Sequence, residues 1–292
     1  MQLIDKNLIA KKRSGRLTFN QIMKWLFFLC TMIGLVVLIT LIVDTLSDAI
    51  GYLNLDFLTS FSSSRVEDAG FYGAIIGSIW LMVVTVPVAI FVSVATALYL
   101  EEYAPKNRVT DFIKVNISNL AGVPSVVFGL LGLAMFVRAM AMGNSVLAAG
   151  LTLALMILPV IVVSSQESIR SVPSTVREAS IGMGATKWQT VSRIILPAAI
   201  PGIITGIILA VSRAIGETAP LVVIGVPTTL LVTPDSVLDS FQAMPMQIYA
   251  WIKMPQEEFQ YIAAAGIIVL LVILLLMNSL AIFIRNKFST RY

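Results

Sequence analysis

Six apolar runs alternate with polar segments along this chain: roughly 25–43, 71–100, 116–137, 145–163, 200–225 and 261–284. Each approaches or exceeds the ~20 residues an α-helix needs to cross a hydrocarbon core of ~30 Å. The pattern predicts an all-α polytopic membrane protein with six transmembrane helices. Lys11, Lys12, Arg13 and Arg16 precede the first run, as in a secretory signal. That run, however, exceeds the ~7–15 apolar residues of a signal segment, and Asp44 follows it instead of a small-x-small cleavage site. An uncleaved first helix is expected.

The polar segments differ in charge. Lys6, Lys11, Lys12, Arg13, Arg16 and Lys24 precede the first run, and Lys106, Arg108 and Lys114 follow the second. Arg170, Arg177, Lys187 and Arg193 lie in 164–200, and Arg285, Lys287 and Arg291 in the tail. These alternate segments hold sixteen basic residues against three, Arg65, Arg138 and Lys253, on the opposite side. Since Lys and Arg are retained on the cytoplasmic face, both termini and the 164–200 segment are expected there. The outer segments are acidic instead, with Asp44, Asp48, Asp56, Glu67, Asp68, Asp235 and Asp239 among them. Segment 226–260 combines Pro227, Pro234, Pro245 and Pro255 with Phe241, Tyr249, Trp251, Phe259 and, just beyond it, Tyr261, a mixture expected of an ordered stretch at the outer interface.

Composition narrows the chemistry. Mean hydropathy is +0.91 and 12% of residues are charged, against about 25% in soluble domains. The absence of histidine removes imidazole acid–base chemistry and imidazole metal ligation. A single cysteine, Cys30, precludes an intrachain disulfide and is expected to be a packed small residue. No Gly-x4-Gly-Lys-Ser/Thr phosphate loop occurs, so any ATP and its Mg²⁺ belong to a partner chain. Met135, Met140 and Met142 are expected to fill packing gaps rather than bind metal. The N-terminal basic cluster reads as a topology and lipid-headgroup signal, not a nucleic-acid patch.

The segment 164–200 carries helix signals of its own. Thr175 with Glu178, and Thr186 with Gln189, have the spacing of capping boxes, in which a hydroxyl and an acceptor three residues on satisfy reciprocal backbone donors. Pro173 blocks continuation from upstream, and Gly184 is suited to a positive-φ turn between two short helices. Pro197 and Pro201 mark the start of the fifth span. The prediction is a helix–turn–helix elbow, with Ala179, Ser180 and Gly182 permitting close approach and Trp188 as an aromatic anchor.

Glu178-Ala179-Ser180, then Gly184, then Ile194-x-Leu196-Pro197 resembles the EAA loop of ABC importer permeases, whose pattern is Glu-Ala-Ala, three residues, Gly, nine residues, Ile-x-Leu-Pro. All spacings match over about 20 residues; Ser180 in place of the second Ala is the one departure. The resemblance implies that this elbow docks on a separate ATPase subunit and transmits its closure to the membrane helices. Glu178, Ala179, Ser180, Gly184 and Trp188 would carry the coupling, although Glu178 would equally serve as a helix cap.

The fifth run contains Arg213 and Glu217, four residues apart. A span over 202–224 would put Arg213 at its midpoint, where an arginine costs ~2.5–3.5 kcal/mol on insertion scales and should face the bundle interior or a wet cavity. Gly216 and Pro220 are positioned to break the helix there, freeing backbone groups toward a pathway. Two readings stay open: a self-satisfied pair that locks helix packing, or a site on an anion's path. In the second, the forked guanidinium suits a tetrahedral oxyanion. Glu217 would accept a hydrogen bond from a protonated oxygen, favouring hydrogen phosphate over sulfate, which has no proton to give at neutral pH.

Arg213-Ala-Ile-Gly-Glu217-Thr218-Ala-Pro220 closely resembles a segment of phosphate permeases, and Gly122-Val-Pro-Ser-Val-Val-Phe-Gly129 and Met246-Gln-Ile-Tyr-x-Trp251 point the same way. The resemblance is to the PstA family of phosphate ABC importers and runs from about residue 70 to the C-terminus. It implies a type I importer (MetI-like) permease bundle in a plasma or inner membrane. The expected partners are a PstC-like sister permease, two PstB-like ATP-binding subunits and an external PstS-like phosphate-binding protein. Arg213, Glu217 and Thr218 are the expected substrate-path residues. The expected organisation is 1–70 for the first helix with its flanks, 71–284 for the permease domain and 285–292 for the tail. A permease for sulfate, molybdate or phosphonate is the nearest alternative. A sensor scaffold is a rival of another class, and a membrane enzyme is disfavoured because no paired acid–base constellation occurs beyond Arg213 and Glu217.

Weaker signals complete the picture. Gly73-x3-Gly77 and Gly202-x3-Gly206 are expected to serve packing within the chain. Pro87, Pro124 and Pro159 are positioned to bend the second to fourth spans. Glu101 and Glu102, at the inner end of the second, are expected to face water.

Overall fold

The computed structural model describes residues 6–288, with side chains described over 16–287. Among them, helices follow the apolar runs. They are α1 (Lys6–Ala49), α2 (Leu55–Thr59), α3 (Tyr72–Leu98), α4 (Arg108–Leu120), α5 (Ser125–Gly132), α6 (Val146–Arg170), α7 (Ser174–Gly182), α8 (Lys187–Thr190), α9 (Leu196–Ile215), α10 (Ala219–Ile224), α11 (Met244–Ile252) and α12 (Glu258–Phe288). Wider π-helical turns extend α3 over Tyr99–Tyr103 and α5 over Leu133–Ala139, and join α8 to α9 over Val191–Ile195. Five helical runs are long and apolar enough to cross a membrane, and the bent α4–α5 pair raises the number to six.

The helix starts follow local chemistry. Asn54, Asn107 and Ser145 each lend a side-chain oxygen to the backbone N–H three residues on, at the first turns of α2, α4 and α6. The π turn at 191–195 ends shortly before Pro197, a residue that lacks an N–H and whose ring would crowd the carbonyl of Arg193 in a regular helix. The widened turn lets α8 run into α9 without a break.

Three helices set the frame. Thr85 Oγ1 donates to the Gly150 carbonyl at 3.2 Å and Ser93 Oγ to the Leu158 carbonyl at 3.3 Å, each pair 65 residues apart, so α3 and α6 run parallel. Gly202 and Gly206 of α9 lie against Ser168 and Ser164 of α6, in antiparallel order. A Cβ on Gly206 would fall 1.9 Å from Ser164 Oγ, so both glycines serve close packing within the chain. On its other flank α9 runs antiparallel to α12, where Ser212 Oγ donates to Asn278 Oδ1 at 2.5 Å. Leu153, Ile157, Ile161, Leu221 and Phe241 fill one core around α6, and Phe57, Phe71, Trp251 and Phe259 fill a second against α12. Leu275, Leu276, Leu280 and Phe283 of α12 and most apolar side chains of α1 point outward, the pattern of a helix solvated by lipid.

Several expectations change. The third run, 116–137, is not one helix: the chain turns by 104° between Arg108–Leu120 and Ser125–Ala139. Pro124 sits in the break, and a residue that precedes proline, here Val123, disfavours helical backbone. Pro87 and Pro159 lie within unbroken helices. The fifth run ends early, with α9 stopping at Ile215 and α10 starting at Ala219. In segment 226–260, Phe241, Trp251 and Phe259 are fully buried in the protein interior. Its helix α11 is inserted beneath α3, where Met244 N–H donates to Ser78 Oγ at 2.9 Å. Cys30 is exposed on α1, not packed, and Met135 and Met140 are likewise exposed.

Candidate functional site: a helix–turn–helix elbow and a broken helix

The 164–200 segment folds as an elbow. The helix α7 leaves Pro173, and Gly184, at φ +89°, reverses the chain; its N–H donates to the Ile181 carbonyl at 2.9 Å. A left-handed φ favours glycine because a Cβ there meets the backbone. Thr186 and Gln189 form the expected capping box, at 3.3 Å from Gln189 N–H to Thr186 Oγ1 and 2.9 Å from Thr186 N–H to Gln189 Oε1. The other expected box is absent. Pro173 takes the N-cap position, so Thr175 lies inside the helix with no side-chain cap, and Glu178 caps nothing. Its exposed carboxylate is thereby left for other contacts.

Ser180, the one departure from the EAA pattern, has a defined role. Its Oγ lies 2.9 Å from Thr190 Oγ1, both residues buried, pinning α7 to α8. Ala179, Gly184 and Trp188 are exposed together with Ile181 and Met183. Met183 and Trp188, at 82% and 67% exposure, present an apolar surface on a polar loop. Exposed apolar patches of this kind are characteristic of interaction surfaces.

Glu101 and Glu102 do not face water. Arg170 donates to both oxygens of Glu101 at 2.7 and 2.8 Å, and Lys114 Nζ sits 3.0 Å from Glu101 Oε1. Glu102 faces Arg177 of α7, whose Nη2 is 3.2 Å away and also donates to the Ile169 carbonyl at 2.7 Å. Lys187 Nζ lies 5.1 Å from the centre of the Tyr103 ring. Opposite charges at the ends of the apolar runs were the available signal, but pairing them requires knowing that α3 and α6 run parallel.

The second constellation lies at the α9–α10 break. The α6 register, Gly202 against Ser168 and Gly206 against Ser164, together with Asn144 donating to the Gly225 carbonyl, puts Arg213 at the level of Ile157, near the middle of α6. Arg213 is therefore near the helix end, not the midpoint of its own helix, yet at central depth in the bundle. Gly216 closes α9, as its position suggested, and Pro220 falls in the first turn of α10, with Thr218 at that helix's N-cap. Arg213 Nε is 3.9 Å from Glu217 Oε2, beyond hydrogen-bond range. The arginine side chain is 51% exposed and the glutamate 17%. The contact is that of a loose ion pair across one helical turn. Among the described residues the Arg213 guanidinium makes no hydrogen bond, and its side chain is half exposed.

Two cavities flank this point. One, of about 470 Å³, is almost wholly apolar and is lined by Met82, Val86, Val211, Ile215 and Met277; it excludes Arg213. The other, of about 420 Å³, is a groove between α6 and α9 walled by Ser164, Ser168, Ser171, Gly202 and Thr205. It ends at Leu209, one turn before Arg213 on the same face of α9. No cluster of three or more His, Cys, Asp or Glu side chains able to hold a metal occurs among the described residues.

The bundle of long apolar helices and the EAA-patterned elbow define an ABC-transporter permease. The chain belongs to the family described as binding-protein-dependent transport system inner membrane component, whose model matches residues 89–289. It is thus the permease subunit of an ABC-type importer, and ATP hydrolysis resides in a separate subunit. The probable ABC transporter permease protein YqgI of Bacillus subtilis (strain 168) is 37% identical over 196 residues, 67% of either chain. The phosphate transport system permease protein PstA of Yersinia pestis is 30% identical over 284 residues, 95% of this chain and 94% of that one. A structure of the MetNI methionine ABC transporter in inward-facing conformations matches with a TM-score of 0.61 at 15% identity. It covers 75% of this chain and 95% of that chain, a likeness of fold alone.

Proposed function

We propose that the chain is the PstA-type permease of an importer that moves inorganic phosphate into the cell, with both termini cytoplasmic. The observation that carries this reading is Arg213: a guanidinium at central depth, beside a helix break, with no hydrogen bond to Glu217. Its forked donors match a tetrahedral oxyanion. Glu217 accepts from the protonated oxygen of hydrogen phosphate and keeps the site from holding the anion too tightly, while Thr218 lines the break. The likeness to a protein named for phosphate transport supports the same cargo.

Residues 71–284 form the permease unit on this reading, with 1–70 and 285–292 flanking it. The elbow 175–197 docks on an ATPase subunit through Glu178, Ala179, Ser180, Gly184 and Trp188, and α9 carries its motion to Arg213. A sister permease, two ATP-binding subunits and an external phosphate-binding protein complete the machine. Uptake of labelled phosphate by vesicles holding the whole assembly tests the cargo. Unlabelled phosphate should compete and sulfate and molybdate, which carry no proton at neutral pH, should not. Equal competition by sulfate would refute the selectivity argument.

A further inference from the structure

The elbow is joined to α6 and α9 by the chain itself, but it reaches α3 only through side chains. Both of its arms touch the same π-helical turn, Tyr99–Tyr103, at the inner end of α3. From α7, Arg177 Nη2 lies 3.2 Å from Glu102 Oε1; from α8, Lys187 Nζ lies over Tyr103 at 5.1 Å. A π turn carries one residue more than a regular turn and is a common place for helices to adjust at functional sites.

The two adjacent glutamates are engaged differently. Glu101 is saturated, with two hydrogen bonds from Arg170 and an ion pair to Lys114, so it clamps α3 to α4 and α6. The Glu102 side chain is as little exposed, at 9%, yet its Oε1 forms no hydrogen bond among the described residues. Arg177 Nε is likewise buried without a partner, although Nη2 is held by the Ile169 carbonyl. A carboxylate so little exposed needs its counter-charge, because removing one partner strands the other. Its geometry nevertheless leaves donors and acceptors that a small rotation of α7 would align.

We propose that Glu102 is a positioning residue. It latches α3 to the elbow through Arg177, and the pair changes alignment when a bound ATPase moves α7, carrying that motion to the α3–α6 pair as well as to α9. The static clamp at Glu101 fixes the pivot. The latch rests on the reading of the elbow as the ATPase-docking element.

The test uses the complete transporter in vesicles, with ATP hydrolysis measured in the presence and absence of phosphate-loaded binding protein. Glu102→Gln should lower the ratio of stimulated to basal hydrolysis by roughly fivefold or more, the lower range of allosteric coupling, with the ATPase subunits still co-purifying. The charge exchange, Glu102→Arg with Arg177→Glu, should recover at least half of the lost ratio, as a direct ion pair between these two side chains requires. The exchange also decides the matter if Glu102→Gln alone fails to assemble. An unchanged ratio in Glu102→Gln, or an exchange as impaired as the single variant, overturns the latch alone. ATPase subunits that stay bound and coupled after Trp188→Ala with Met183→Ala overturn the docking reading, and the latch with it.

Discussion

Gly77 offers the sharpest test of the packing around the inserted segment. A Cβ built on this α3 glycine would lie 2.0 Å from the Gln242 carbonyl oxygen and 3.0 Å from its carbon. These are backbone atoms, and the strand of chain they belong to is held by Met244 N–H on Ser78 and by Gln242 with Gln247 and Thr228. The segment cannot move aside without loosening α11. Overpacking a close-fitted site costs about 1–3 kcal/mol, and a clash this deep belongs at the upper end. Alanine regains about 1 kcal/mol of helix propensity, leaving a net loss of about 2 kcal/mol for Gly77→Ala. Gly34, inside α1, has nothing within 4 Å of its Cβ position, so Gly34→Ala keeps the propensity gain and pays no clash. Thermal unfolding of both variants in detergent separates the terms. Gly77→Ala should unfold roughly 4–8 °C below wild type, using about 2–4 °C per kcal/mol, and Gly34→Ala at or above it. Coincident curves for the two would refute the placement of α11 against α3.

Other consequences follow from the same contacts. Gly184→Ala places a Cβ on a residue at φ +89°, costing about 1–2 kcal/mol, and should weaken retention of the ATPase subunits, as read by co-purification. Trp188→Ala removes the most exposed aromatic of the elbow and should reduce ATPase affinity at least 30-fold, from the ~2 kcal/mol threshold of an interface hot spot, as read by co-purification at graded dilution. In a Cys30→Ser background, a single cysteine at Met183 should react with an impermeant thiol reagent only from the cytoplasmic side, and one at Asp235 only from outside. Labelling of Met183→Cys from outside would invert the topology.

Much of the architecture was legible because membrane burial is read directly in hydropathy. The runs behind α1, α3, α6 and α12 needed only length and apolar content. The third run misled because Val123-Pro124 is a backbone signal that a hydropathy average passes over, and both sides of the break are apolar enough to look continuous. The elbow was legible because capping and turn residues act locally: Thr186, Gln189 and Gly184 do what their chemistry requires. Thr175 and Glu178 had the right spacing, but Pro173 had already taken the position where the cap would sit. The Glu101 and Glu102 ion pairs were hidden for another reason. Their partners lie on α4, α6 and α7, and only the parallel register of α3 and α6 brings these charges together. At Arg213, sequence supplied the residue and the nearby break, while the long, open contact with Glu217 is a property of the folded chain.

The proposal that Arg213 meets the transported anion underlies the assigned cargo. Its most direct test is labelled phosphate uptake by the reconstituted assembly carrying Arg213→Ala, Arg213→Lys or no substitution, with assembly and ATPase content matched. Uptake should be lost with alanine and fall at least tenfold with lysine, which keeps the charge but not the fork, equivalent to about 1.4 kcal/mol of differential stabilisation. Wild-type uptake kinetics in a fully assembled Arg213→Ala transporter would contradict the claim.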